Sequence, residues 1–496
     1  GISSYSQLHK TDVDNITAEP ITGTLIDEGG SYNLRTDQWA LNSAFGRANY
    51  AFQDKYLFEF NFRVDASSRF GPKNREAFFP SVSAGWKLTD EKFMQSFNEK
   101  IGNIKLRGSW GKLGNQEIGL YRYLNTWTTH PNVYGFNNAG QAASFLGLGN
   151  PDIRWETSTM TNIGADLGLL NNSLTISFDY FNKLTDDILL DLPAPSLFGA
   201  WPPTQNAGKV RNSGWEWMVN YRLKTGAFRH NFAFNLSDNL NEVVDTKGKV
   251  FLTEADRTFI TKEGFPISSY YGLQSDGFYQ SLEDIKGSPI PSFVNEIKPG
   301  DIKYVDRNKD GKINNDDRYI MGNPFPRYTF GFNYSLNWNG FDLNVLIQGV
   351  GKRSLYLRGE AVEAFHNNWD DVYEQHLDRW TPTHPNASYP RLTIGAASTN
   401  NNAGSDFWLL NAAYARLKNA QIGYTLPANL LRSIGVQKCR FYLSGQNLLT
   451  VTKMDNGFDP EISELNNSLQ ISNTSSNSGR VYPTLKVIAV GLDINF

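Results

Sequence analysis

One short run of this chain carries residue types at a spacing that chemistry can use. In DRNKDGKINNDD (306–317), Asp306, Asn308 and Asp310 stand at loop positions 1, 3 and 5, and Gly311 follows at the sharp turn. Lys312 offers its carbonyl at position 7, Asn314 falls at 9 and Asp317 at 12. This is the oxygen-donor spacing of an EF-hand-type calcium loop, with Asp in place of the usual bidentate Glu. Asp306, Asn308, Asp310, Lys312 and Asp317 are the expected ligands of a structural Ca2+. No helix pattern flanks the run, and the same composition also suits a solvated Asp/Asn/Gly turn. Both readings stand at this point, and the spacing favours the ion.

Other reactive residues form no such pattern. The six histidines, His9, His130, His230, His366, His376 and His384, are scattered. No Gly-x-Ser-x-Gly or His-Glu-x-x-His motif occurs, so the chain is not expected to be an enzyme. His366 and His376 share a segment with Asp370, Asp371 and Glu374, but an exposed polar loop accounts for these better than a metal cluster. Trp201, Tyr270, Tyr271, Trp369, Trp380 and Trp408 lie in or beside long connections. They suit sugar stacking, interface anchoring, or packing of the loops on one another.

The elements that position these residues are strands. At the C-terminus Ile488, Val490, Leu492, Ile494 and Phe496 alternate with Ala489, Gly491, Asp493 and Asn495. Successive strand side chains point to opposite faces, so one face is apolar and the other small or polar. Tyr56, Phe58, Phe60, Phe62 and Val64 alternate in the same way with Leu57, Glu59, Asn61 and Arg63. Tyr328, Phe330, Phe332, Tyr334, Leu336 and Trp338 alternate with Thr329, Gly331, Asn333, Ser335 and Asn337. Large aromatics at nearly every apolar position would overfill a soluble core. A lipid-facing surface has no such volume limit, and Trp and Tyr near strand ends suit the membrane interface.

About thirteen such stretches occur, beginning near residues 40, 55, 79, 102, 158, 172, 210, 227, 327, 341, 413, 437 and 484. Connections alternate between tight or moderate ones (53–54, 89–101, 170–172, 224–227, 339–340, 426–436) and long ones (66–78, 113–155, 183–209, 239–326, 351–412, 453–483). Short periplasmic turns and long extracellular loops are the rule of outer-membrane barrels. The expected fold is therefore all-β: a large antiparallel transmembrane β-barrel.

Composition bounds this reading. The 496 residues exceed one ordinary soluble domain, and no linker divides them. Aromatic residues make up 14% of the chain while mean hydropathy is −0.45. No run of about 18 apolar residues exists, which excludes helical spans but not alternating strands. A net charge of −3 gives no case for nucleic acid. The single cysteine, Cys439, is in phase with Phe441 and Leu443 and reads as a small lipid-facing residue. Residues 1–35 read as an extracellular loop segment without a signal peptide, and 36–496 as barrel. An odd number of strands cannot close alone, so the chain reads as the C-terminal portion of a longer polypeptide.

Several segments resemble the SusC/RagA class of TonB-dependent outer-membrane transporters of Bacteroidota. They are DASSRFGPKNREAFFPSVSAGWKL (65–88), GNPDIRWETS (149–158), FDYFNKLTDDILL (178–190), NAGKVRNSGWEW (206–217), the 300–333 segment that contains the Asp-rich run, YARLKNAQIGYTLP (414–427) and YPTLKVIAVGLDINF (482–496). The resemblance implies a barrel of about 22 strands closed around an N-terminal plug. It implies a TonB box contacted from the periplasm, and a SusD-like surface lipoprotein as a lid. The substrates would be oligosaccharides or oligopeptides. Plug, TonB box and first strands are absent from these residues. Two other functions compete: a passive porin, which needs no plug, and a soluble calcium-dependent carbohydrate-binding β-protein, which leaves the lipid-like faces unexplained.

Overall fold

The computed structural model describes residues 2–10, 23–27, 30–34, 36–94, 102–136, 139–191, 197, 202–252, 258–359, 362–366, 371–395, 399–431, 435–454, 457–461 and 482–496. Its main element is a fourteen-strand sheet. In chain order the strands are β1 (Ile2–Lys10), β2 (Thr36–Phe52), β3 (Tyr56–Ser67), β4 (Glu76–Lys87), β5 (Gly102–Asn115), β6 (Glu156–Leu169) and β7 (Leu174–Asp191). They continue as β8 (Thr204–Thr225), β9 (Phe228–Asp245), β10 (Arg327–Trp338), β11 (Phe341–Lys352), β12 (Tyr414–Thr425), β13 (Lys438–Thr452) and β14 (Val487–Asn495). Each strand is hydrogen-bonded to the next in sequence, and β1 and β14 are not neighbours in that order. The pairings described within it are antiparallel.

Thirteen of these strands fall where alternation places them. The fourteenth, β1, lies in the segment read as loop and pairs Ile2 with Ala44 through to Lys10 with Thr36. Its sequence, ISSYSQLHK, lacks a regular apolar alternation, so pattern reading passes over it. Twelve of the fourteen strands have 12 to 22 residues, more than the roughly 9–11 that a tilted strand needs to cross a bilayer, while β1 and β14 have 9.

The short connections explain the register. Gln53 and Asp54 both have positive φ, at 51° and 53°, as do Asn339 and Gly340, at 45° and 88°. Two consecutive left-handed residues make the type I′ turn, whose twist matches that of the flanking strands. Register across β3 sets Phe58 opposite Tyr50 and Ala84, and Phe60 opposite Ala48 and Val82. Apolar residues therefore stand in rows on one face. They are bare: Tyr50, Phe58, Val82, Trp217, Phe341, Phe441, Leu443, Ile488, Val490 and Phe496 are all exposed. A water-soluble protein rarely leaves so extended an apolar surface uncovered.

The opposite face is polar and cross-linked by charge. Arg47 meets Glu59 at 2.6 Å, and Arg107 meets Asp166 at 3.1 Å and Asp179 at 2.5 Å. Arg327 pairs with Asp238, and Arg440 with Asp342 at 2.6 Å. Cys439 departs from expectation: it holds the apolar phase opposite Ile494, yet it is buried rather than lipid-exposed.

By compactness the chain divides into two units. The first comprises Gly1–Asp166, Asp179–Ser213 and Val243–Lys249. Its core gathers Phe70, Phe79, Ile118, Ile153 and Trp155. Trp155 stacks on Phe70 at 5.0 Å, meets Phe79 edge-on at 5.5 Å and donates its indole N–H to the Arg75 carbonyl. The Arg-Phe-Gly, Phe-Phe-Pro and Arg-Trp segments, distant in sequence, thus form one cluster. The second unit comprises Leu167–Phe178, Gly214–Glu242 and Val250–Phe496. Its core lies among the long connections, in one cluster around Tyr270, Tyr356, Trp408 and Met454 and another of Leu273, Ile302, Tyr304 and Ile313.

Candidate functional site

The connection between β9 and β10 is built rather than loose. Phe251–Leu252, Phe259–Thr261, Ser269–Gly272 and Tyr319–Gly322 make a four-stranded sheet. Ile302–Tyr304 pairs with Ser275–Phe278, and Lys312–Ile313 runs parallel to Ile290–Pro291. Fully buried Ile313, inside the Asp-rich run, pins it to the core of this unit.

The run itself folds onto its own backbone. Asp306 accepts the N–H groups of Lys309 at 2.6 Å, Asp310 at 3.2 Å and Gly311 at 2.8 Å. Lys309 and Gly311 have φ of 61° and 83°, and the glycine meets that left-handed requirement without a Cβ penalty. The Asn308 side chain accepts from the Asp310 N–H at 3.0 Å and donates to the Asp310 carboxylate at 3.2 Å. Lys312 donates its N–H to Asp310 at 2.9 Å. Asp317, fully buried, accepts from the backbone of Arg307 at 2.9 Å and of Asn314 at 2.8 Å. The five expected ligands therefore share one knot of turns, in which backbone N–H dipoles face the carboxylates. Among the described residues no three His, Cys, Asp or Glu side chains gather in a metal-holding group.

A second polar centre lies nearby in sequence space and was not legible beforehand. Asp301, fully buried, is met by Arg391 at 2.7 Å and by the Asn401 amide at 3.0 Å. Asn401 in turn accepts the Ile302 N–H, while Tyr304 donates to the Asn400 carbonyl at 2.6 Å. Arg358 is paired with buried Glu363, which also bonds His366 at 2.8 Å. The residues that Asp301, Ile302 and Tyr304 meet, Arg391, Asn400 and Asn401, are about 90 to 100 residues away, beyond any local pattern.

His376 serves the fold. It is buried; its Nδ1 accepts the Tyr373 N–H at 2.9 Å and its Nε2 faces the Val362 carbonyl at 3.0 Å. Burial pushes its pKa down, outweighing the bond to Val362, so it stays neutral with both nitrogens occupied. Asp370 lies outside the described residues, as do Trp201 and Trp369. Tyr270, Trp380 and Trp408 are buried, so among the loop aromatics packing is the observed role for these three. The Trp408 indole donates to the Asn401 carbonyl at 3.1 Å and its ring lies under the Arg358 guanidinium at 5.5 Å.

A third centre closes the root of the last long loop. Arg416, on the polar face of β12, meets Asp459 at 2.5 Å, Glu461 at 2.6 Å and Thr484 at 2.6 Å. Lys418 holds Glu461 at 2.9 Å, and Arg353 donates to the carbonyls of Pro460 and Glu461. Thr484 also donates its N–H to Asp459 at 3.0 Å, so residues from both ends of the 453–483 connection meet on one buried arginine.

The sheet presents an exposed apolar face on one side and ion pairs on the other. Comparison with known proteins gives the same architecture. A family model described as TonB dependent receptor-like, beta-barrel matches residues 3–448. The chain is 33% identical over 485 residues to TonB-dependent receptor P3 of Formosa agariphila, covering 95% of the chain and 47% of that protein. It is 27% identical over 507 residues to the TonB-dependent receptor SusC of Bacteroides thetaiotaomicron, covering 97% of the chain and 46% of that protein. Among solved structures it matches the RagAB peptide importer in its open-open state with a TM-score of 0.76 and 25% identity, covering 95% of the chain and 48% of that one. The chain thus spans about half the length of the curated relatives it matches.

Proposed function

We propose, from the premise that this chain belongs to the TonB-dependent receptor β-barrel family of the outer membrane, that it forms the barrel wall and surface loops of an energised nutrient importer. The observation that carries this reading is the pairing of a bare apolar face with an ion-paired polar face across a sheet related to SusC and to the RagAB importer. Lipid covers the first face. The second lines a lumen in which a plug would sit, and its charge pairs keep that lining polar. The cargo class is oligosaccharide or oligopeptide, trapped under a SusD-like lipoprotein and released when TonB acts on the plug. The built loops of the second unit supply a firm rim for such a lid.

Uptake by intact cells separates this from passive diffusion. Labelled oligopeptides and oligosaccharides are supplied to cells with and without this gene, and with and without an uncoupler. Gene-dependent uptake that stops with the uncoupler is the expected result. Gene-dependent uptake that continues unchanged would instead make the barrel a porin.

Calcium in the 306–317 run is a further part of this proposal, supported by the ligand spacing and by the turns that fold Asp306, Asn308 and Asp310 onto one short stretch of backbone. Asp306, Asn308, Asp310 and Asp317 would hold the ion through side chains and Lys312 through its carbonyl. Its contribution would be structural.

A further inference from the structure

The apolar face of the first unit is not uniform. Register sets Tyr50, Phe58 and Ala84 in one row and Ala48, Phe60 and Val82 in the next. On β5, Gly108 lies opposite Ala84 and Trp110 opposite Val82. Rings and branched side chains therefore surround a floor of Ala84 and Gly108, and Ile163 of β6 stands at its far edge. The result is a groove of about 670 Å³ with almost wholly apolar walls. That is within the range of roughly 300–1,000 Å³ typical of small-molecule sites. A Cβ placed on Gly108 would meet only the Asn162 carbonyl oxygen, at 3.8 Å. The space above the glycine is open.

We propose that this groove holds one acyl chain of a membrane phospholipid as an ordered ligand. The occupant follows from position, because the groove is continuous with the lipid-facing surface. It also lies toward the Gln53–Asp54 turn, hence toward the periplasmic leaflet. Apolar burial gives no preference between surfaces that all touch lipid tails, so retention must come from contact. A recessed floor with walls of Phe58, Phe60, Val82, Trp110 and Ile163 lets a chain touch protein on several sides. On a flat wall it would touch on one, and dispersion contacts add with their number. The inference rests on the membrane assignment and not on the import reading, so either one can fail alone.

The test uses the full-length protein reconstituted in vesicles of palmitoyl-oleoyl phosphatidylethanolamine, extracted in mild detergent and weighed by native mass spectrometry. Wild type should retain one phospholipid more than Gly108→Phe, whose ring fills the groove. Val490→Phe, on a wholly exposed part of the same face, should match wild type. Equal retention in wild type and Gly108→Phe, equal loss in Val490→Phe, or detergent alone in the groove would overturn the proposal. A second measurement does not depend on Gly108→Phe folding. Brominated phospholipid should quench Trp110 fluorescence, read as wild type minus Trp110→Phe. That quenching should outlast exchange into unbrominated vesicles, and its loss as fast as the quenching of the remaining tryptophans would equally overturn the proposal.

Discussion

At the scale of single residues, what a side chain does here is set by which face it occupies. Phe332 lies between Phe234 and Ile347 on the apolar face, while Asn333 faces the other way beside Leu346 and Ala233. Arg at Phe332 is expected to cost about 2–4 kcal/mol near the bilayer midplane, and Arg at Asn333 much less. Reversible unfolding in liposomes checks this, and equal costs would mean that the faces are wrongly assigned. Asp317 offers a second test. Its buried carboxylate holds the backbone of Arg307 and Asn314, so Asp317→Ala should loosen the 306–317 run with or without metal. Chelation should loosen it in wild type alone if calcium sits there. Limited proteolysis at Lys309 and Lys312 in the presence and absence of chelator reads both. Pattern reading could single out the 306–317 run because an ion-binding spacing is local. It missed Asp301, Arg391, Asn400 and Asn401 because their partners are assembled by the fold.

At the scale of elements, the strands are held by alternation and the long loops by buried charge. Arg416 joins Asp459 and Thr484, and both side chains of the Arg416–Asp459 pair are almost fully buried. Burial alone would raise the Asp459 pKa, but the bonds from Arg416 and Thr484 outweigh it and hold the carboxyl well below the usual carboxylate range. The folded pKa is depressed, so the stabilisation is complete above the unfolded value of about 3.9 and is lost as pH falls through the folded value. The 453–483 loop should therefore stay closed at its root from neutral pH down to about pH 4 and open only below that. Hydrogen exchange of the Thr484 and Glu461 amides across this range measures it. Arg416→Met strands two carboxylates beside Lys418 alone and should destabilise the root by about 3–5 kcal/mol, seen as faster cleavage at Lys453. At the other end of the same hairpin, β14 closes the described sheet order with Ile488 to Phe496 bare. Deleting Phe496 should lower the amount of heat-modifiable folded protein in the outer membrane, and an unchanged gel pattern would count against an assembly role for that residue.

At the scale of the whole molecule, sequence and tertiary structure answered different questions. Alternation of apolar and polar residues has a period of two, and so does the strand, so the faces and thirteen of the fourteen sheet strands could be read directly. Turn chemistry was local as well: Gln53-Asp54 and Asn339-Gly340 take the left-handed pairs that a tight hairpin needs. The lipid-facing role of the sheet followed, because no soluble core accommodates so many rings on one face. β1 escaped because strand pairing can be carried by backbone bonds without any apolar pattern. Cys439 was assigned the right phase and the wrong exposure, since phase belongs to the strand and cover belongs to its neighbours. The loop aromatics were ambiguous until Tyr270, Trp380 and Trp408 were found buried, and the closed root at Arg416 was invisible until Asp459 and Thr484 met on it. Sequence alone determined the class of element, its two faces and the solvent each face requires. Only the tertiary structure decided which distant charges pair, which rings are covered and where the apolar face is recessed. Those properties depend on contacts between residues that the chain separates by tens to hundreds of positions.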